Sequence, residues 1–289
     1  MQDKILHKLE DYEIIFVDDG SGDNSWEIMN QIQQMDRNVK LVKLSRNFGE
    51  HAAILAGLSH CTGDCAVTKQ ADLQEDSNLI LEMYEKWKKG NKVVLAVRSD
   101  RDEGVIQKFF ANLYYTLMRK FVTKDMPKGG FDCYLLDRKV IHVLMMLDEK
   151  NSALTLQILW VGFKSDKVYF HRKAREIGES RWTLSKKMKL VLDSMMSFSY
   201  LPIRFMSAMG VIIALISAIW AIILIIQRLT GIEDIAGWTS MMVLMLFGFG
   251  IIMVMLGLLG EYIWRALDAS RNRPPFLVDE TKGFEEKTE

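Results

Sequence analysis

The chain has 289 residues, with 37 basic and 37 acidic side chains, so its formal charge is zero. That balance excludes the basic footprint of a nucleic-acid binder. Hydrophobic residues make up 49% of the chain, and many of them lie in two uncharged runs near the C-terminus, which argues against a wholly soluble protein. The three cysteines, Cys61, Cys65 and Cys133, are odd in number and lack a CxxC or histidine-partnered spacing, so they read as reduced structural thiols of a cytosolic domain.

The N-terminal stretch MQDKILHKLED is charged and amphipathic, unlike a signal peptide, and reads as the end of a helix at Asp3–Asp11. The stretch Tyr12–Asn24, YEIIFVDDGSGDN, follows. Its run Ile14, Ile15, Phe16, Val17 predicts a strand buried on both faces, over Glu13–Val17. Asp18 and Asp19 then stand at the carboxyl end of the strand, where open α/β sheets bind ligands. A plain acidic strand-to-turn junction is the ordinary alternative for such a pair taken alone. Ser25–Met35 predicts a helix with Ile28, Met29 and Ile32 inward, capped by Asn24 or Ser25. Strands at Val39–Leu44, Ala66–Lys69 and Lys92–Arg98 alternate with helices at His51–Cys61 and Asn78–Lys88. This rhythm predicts a parallel sheet wound in βαβ units.

After Arg98 the pattern changes. Val105–Phe121 reads as a long aromatic-rich helix whose stripe suits a core. Lys128–Asp132 is a double-glycine turn into an apolar segment, followed by helices at Arg138–Leu147 and Ser152–Gly162 and a strand at Lys167–Arg172. Trp182–Arg204 mixes Lys186, Lys187 and Lys189 with apolar residues, as an interfacial helix on anionic lipid does, or as an ordinary amphipathic helix does. Phe205–Ile226 and Ala236–Gly260 are each long enough to span a hydrocarbon core of about 30 Å. Arg204 and the upstream lysines, with Arg265, Arg271 and Arg273 downstream, predict a multi-pass plasma-membrane protein whose large domain is cytoplasmic. Glycines in both spans permit close helix packing and a homo-oligomer. The tail after Arg273 reads as extended and partly disordered.

The ordered set VDDGSGDNS, LSRNFGEHAAILAGL, ADLQED, GGFDCYLLDRK, WVGF, REIGESRW and SFSYLPIR resembles the GT-A-fold inverting glycosyltransferases of the polyprenyl-phosphate class. Dolichyl-phosphate mannose synthases and bactoprenol glucosyltransferases belong to that class. The resemblance implies an α/β GT-A fold, Rossmann-like and mainly parallel with flanking helices, plus interfacial helices and two C-terminal transmembrane helices. The domains would be 1–180 (cytoplasmic glycosyltransferase domain), 181–204 (interfacial helices), 205–260 (two-helix transmembrane domain) and 261–289 (cytoplasmic tail).

The resemblance also implies roles for individual residues. Asp18, Asp19 and Arg46 would contact the nucleotide. Asp72 would contact it too and carry Mg2+ or Mn2+, since a divalent ion on the donor diphosphate needs a carboxylate with open positions. Asp132 sits where the family has its candidate general base. Arg175, Ser180, Arg181 and Trp182 would face the acceptor phosphate and the leaving diphosphate through charge-assisted bonds. The implied reaction moves a hexose from a nucleotide sugar such as UDP-glucose to polyprenyl (undecaprenyl) phosphate.

Two departures from the family pattern bear on this. The apolar strand that opens the family domain is missing ahead of Lys4–Asp11, so the chain reads as truncated at its N-terminus. Gln70 stands at the first acidic position of a DxD, leaving Asp72 to hold the metal largely alone. Both keep open a non-enzymatic paralogue that binds membrane. A processive polysaccharide synthase fits less well, because two spans do not build a translocation channel.

Overall fold

In the computed structural model, the described residues are 9, 11–72, 74–99, 112, 114–120, 122–147, 149, 152–170, 193–230 and 237–285. They fall into two compact units, the first taking in residues up to Ser194 together with Arg273 onward, the second Met195–Asn272.

The first unit contains two sheets. One has the order β1 (Ile14–Asp18), β2 (Val39–Leu44), β7 (Val278–Lys282), with β1 and β2 parallel and β7 antiparallel to β2. Side chains alternate across a strand, and here each side is covered by one helix. Ile14, Phe16, Val39 and Leu41 pack with Trp26 and Met29 of α1 (Ser25–Met35). Ile15, Val17, Val42 and Leu44 pack with Ala53 and Ala56 of α2 (Glu50–His60). The apolar run of β1 is therefore continuous because both of its faces meet a helix. In α1 Met29 faces the sheet as expected, together with Trp26, while Ile28 is 55% and Ile32 39% exposed, contrary to expectation. Trp26 and Met29, three residues apart, share the helical face that meets the sheet, and Ile28 and Ile32 fall off it.

The second sheet has the order β3 (Cys65–Val67), β5 (Phe131–Asp137), β4 (Val93–Arg98), β6 (Ser165–Phe170). β4 and β6 are parallel, and β5 runs antiparallel to both β3 and β4. Leu79 and Met83 of α3 (Asn78–Lys88) close one face over Val94, Ala96, Cys133, Leu135 and Val168. Leu95, Tyr134 and Leu136 are buried on the other. Of the strands expected in one parallel sheet, β1–β2 and β4–β6 pair in parallel, but the strands divide between two sheets and β5, the apolar segment after the double glycine, is antiparallel to both its neighbours. β1 and β3 are edges of their sheets among the described residues and are half-buried, whereas β2, β4 and β5 are largely buried.

β5 leads directly into α4 (Arg138–Met146), capped by the Asp137 carboxylate, which accepts the Lys139 N–H. α5 (Leu154–Trp160) follows. The tail expected to be partly disordered forms β7, and Phe276 and Phe284 on either side of it join the core around Val42 and Leu44.

The second unit contains α6 (Leu201–Leu229) and α7 (Trp238–Ser270). Both are long and apolar enough to cross a membrane, and none of the residues in their apolar windows is buried.

Candidate active site

The candidate residues sit on loops at one end of the strands. Asp18 ends β1 and is 2% exposed; its Oδ1 accepts the Ser21 N–H at 3.0 Å, and its Oδ2 is buried with no hydrogen-bond partner among the described residues. Asp19, one residue on, is half-buried and reaches across to the loop after β2. Its Oδ1 accepts the N–H of Phe48 at 2.7 Å and its Oδ2 the N–H of Gly49 at 2.9 Å. Gly49 is the residue before α2, so this carboxylate also lies at a helix N-terminus, where negative charge is favoured. Gly20 allows the approach. Its φ is +69°, and a Cβ there would lie 2.6 Å from the Arg46 carbonyl carbon.

Arg46 is exposed in that loop, its guanidinium carbon 4.1 Å from the centre of the Phe48 ring. A cation over an aromatic face in this way limits the side chain's wandering. Glu50, at the first turn of α2, accepts from the Gln70 amide at 2.7 Å. Gln70 therefore ties the loop after β3 to the loop after β2. Two residues further, Asp72 is half-buried and its Oδ1 accepts the Gln74 N–H at 3.2 Å, an Asx turn that sets the loop's path.

Asp132, the second residue of β5, forms an ion pair with Arg98 at the end of β4. Because β5 is antiparallel to both neighbours, its first residues lie beside the last residues of β3 and β4. The Cys133 thiol donates to the Thr68 carbonyl at 2.9 Å, which places Asp132 near the chain leading to Gln70 and Asp72. The double glycine before β5 is sterically required. A Cβ at Gly129 would overlap the Arg98 carbonyl oxygen, and Gly130 has φ +66° with the Tyr115 hydroxyl against it.

At the other end of the strands Glu13 holds the two sheets together. Its Oε1 accepts from the Thr62 N–H at 2.5 Å, the Thr62 hydroxyl at 3.0 Å and the Gly63 N–H at 3.1 Å, and Lys40 pairs with its Oε2 at 2.6 Å. Burial pushes this carboxyl up, but Lys40, Thr62 and Gly63 together bring it below its usual range. β1 and the start of β3 are thus pinned at their amino ends while the candidate loops cluster at their carboxyl ends. His51, beside Glu50, is lowered by burial despite that carboxylate, in keeping with a packing role.

Asp18, Asp19, Arg46 and Asp72 are therefore linked through neighbouring loops, with Asp132 and Arg98 on the adjoining strands. Arg175, Ser180, Arg181 and Trp182 lie outside the described residues. Among the described residues no group of three His, Cys, Asp or Glu side chains gathers as a metal cage. Arg98 was missed in the sequence reading; a charge closing the otherwise apolar strand VVLAVR was the available signal. The amides of Phe48 and Gly49 carried no such signal, because backbone groups become legible only once a partner is placed.

Loops gathered at the strand ends of helix-covered sheets make an open α/β ligand site. Residues 2–145 match the family described as Glycosyl transferase family 2, and the chain belongs to that family. It is 38% identical to an uncharacterized glycosyltransferase, YkcC, of Bacillus subtilis, over 96% of this chain and 86% of that protein. It is also 34% identical to the bactoprenol glucosyl transferase of Shigella phage SfX, over 93% of this chain and 89% of the relative. A prophage bactoprenol glucosyl transferase homolog of Escherichia coli is 32% identical over 95% and 90% of the two chains.

Proposed function

We propose that this glycosyltransferase moves glucose from a nucleotide sugar, UDP-glucose or a close relative, to polyprenyl phosphate with inversion at the anomeric carbon. The observation that carries the reading is the similarity to phage bactoprenol glucosyl transferases, which extends over 93% of this chain and so takes in most of both apolar helices. Two helices whose apolar windows lie unburied suit an enzyme whose acceptor is a membrane lipid. In this reading they span the plasma membrane, the first unit is cytoplasmic, and copies associate through the glycine-bearing spans.

Asp18 and Asp19 accept from the base and ribose, and Arg46 lies against the diphosphate. Asp72 fits a divalent site of the kind Mg2+ prefers, in which one carboxylate is completed by substrate phosphate oxygens and water. When bound there, Mg2+ or Mn2+ neutralises charge on the leaving diphosphate. An oxygen of the lipid phosphate attacks the anomeric carbon as the bond to the nucleoside diphosphate breaks on the opposite face. Any proton still on the acceptor passes to Asp132, whose carboxylate Arg98 orients. Arg175, Ser180, Arg181 and Trp182 serve the acceptor phosphate and the departing diphosphate. The product is a lipid-linked monosaccharide.

The test uses membranes bearing the full chain, given radiolabelled UDP-glucose, undecaprenyl phosphate and Mg2+. Label is expected in an organic-extractable, acid-labile lipid, and a panel of UDP-hexoses then ranks the donors. Absence of lipid-linked label with every donor would sink the reading.

A further inference from the structure

Residues 276–284 belong to the first unit, and their Leu277 carbonyl reaches the loop after β2. β7 pairs with β2 through Leu41–Lys282, Val42–Thr281, Lys43–Glu280 and Leu44–Val278, with a register irregularity at Lys43/Leu44. Immediately beyond that irregularity the Leu277 carbonyl accepts the Ser45 N–H at 3.0 Å. Ser45 is the first residue of the loop that carries Arg46 and delivers the Phe48 and Gly49 amides to Asp19. Phe276 and Phe48 also pack against one apolar cluster around Val42, Leu44 and Ala56. At the other end of β7, Phe284 lies over His60, with the ring centres 5.3 Å apart, and under Lys40. Phe284 packs on the same cluster, but at the amino end of β2, away from the loop that follows its carboxyl end.

We infer that the C-terminal segment is a positioning element for the donor loop, with Phe276 as its working side chain. This deepens the proposed function by naming what holds the Arg46 loop in the shape that Asp19 clamps. A loop held only by two amides on one carboxylate opens easily, whereas packing of Phe276 on the cluster that also seats Phe48, and the Leu277 carbonyl on the Ser45 N–H, restrict it further. Phe276 touches no substrate in this scheme and acts through the apolar cluster it shares with Phe48.

The test compares Phe276→Ala, Phe276→Leu and Phe284→Ala in the full-length protein. The first readout is hydrogen exchange at the Phe48 and Gly49 amides without ligand, which does not depend on what the enzyme transfers. Exchange is expected to speed about tenfold in Phe276→Ala and to stay near wild type in Phe276→Leu and Phe284→Ala. The second readout is transfer from UDP-glucose. There Phe276→Ala is expected to raise the donor KM about fivefold with kcat within roughly twofold, and Phe276→Leu to restore it. If Phe276→Ala does not accumulate, Phe276→Val takes its place. Unchanged exchange in the Phe276 variant, or equal acceleration in Phe284→Ala, overturns the inference. A wild type that transfers nothing overturns the proposed function instead and leaves the exchange result to decide this one.

Discussion

Arg98, the last residue of β4, is ion-paired with Asp132, the second residue of β5, and the two side chains are 10% and 32% exposed. The antiparallel meeting of these strands, and not sequence proximity, joins them. If Asp132 assists the acceptor, Asp132→Asn lowers kcat by about 100-fold, the low end for a general base because a lipid phosphate is already largely ionised. KM for the donor should stay within a few fold. Arg98→Ala should reduce kcat about tenfold and stability by about 1–3 kcal/mol, since it strips a hydrogen-bonded charge from a partly buried carboxylate. Arg98→Lys should recover only part of this, because a point charge lacks the guanidinium's planar fork. Steady-state kinetics on membranes and a thermal melt measure both.

Asp19 bridges two loops with both carboxylate oxygens. Asp19→Asn keeps one acceptor and turns an N–H2 toward a backbone N–H, so the bridge breaks while the volume is unchanged. Loss of about 1–3 kcal/mol is expected, with a raised donor KM and a nearly constant kcat. Denaturation midpoints and donor saturation curves check it; a change in kcat alone would place Asp19 in the chemistry rather than in the loop.

Asp137 offers a pH-dependent prediction away from the site. Burial pushes its carboxyl up, but Lys92 Nζ at 2.8 Å, the Trp87 indole N–H at 2.8 Å and the Lys139 amide pull it below the usual 3.8. A depressed carboxylate contributes stability that is complete above its unfolded pKa and disappears as pH falls through the folded one. Asp137→Asn keeps the cap on α4 and removes the charge. The variant should be less stable than wild type by about 1–2 kcal/mol at pH 7, and the gap should close below pH 3.8. Melts across that range decide it.

The thiols should be inert. Burial raises Cys65 to about 11, with Asp137 and Asp64 adding to the effect, and it also raises Cys61 and Cys133. At pH 7.5 a thiol like Cys65 is on the order of 0.1% thiolate or less. Iodoacetamide should therefore label the folded protein slowly and leave transfer intact, while denatured protein takes up label quickly; mass spectrometry of both samples shows which holds.

Local chemistry was legible in the sequence. The boundaries of β2 and α3 followed from apolar periodicity, since a strand or helix covered on known faces must repeat every second or every third to fourth residue. Both apolar helices followed from length and composition alone. The acidic pair at Asp18 and Asp19, followed by Gly20, announced the carboxyl end of β1, since a turn-forming run there closes an apolar strand. The tertiary structure decided what these residues meet. Trp26 with Met29, rather than Ile28 and Ile32, faces the sheet, because the position of the sheet selects which of the helix's apolar residues are covered. Asp19 spends its oxygens on the amides of Phe48 and Gly49, Arg98 finds Asp132, and residues 278–282 become a strand beside β2. Each of these joins residues about thirty or more positions apart. Periodicity carries information over a few residues, whereas hydrogen-bond partners at such separations are set by how the sheets pair, and pairing is a property of the folded chain.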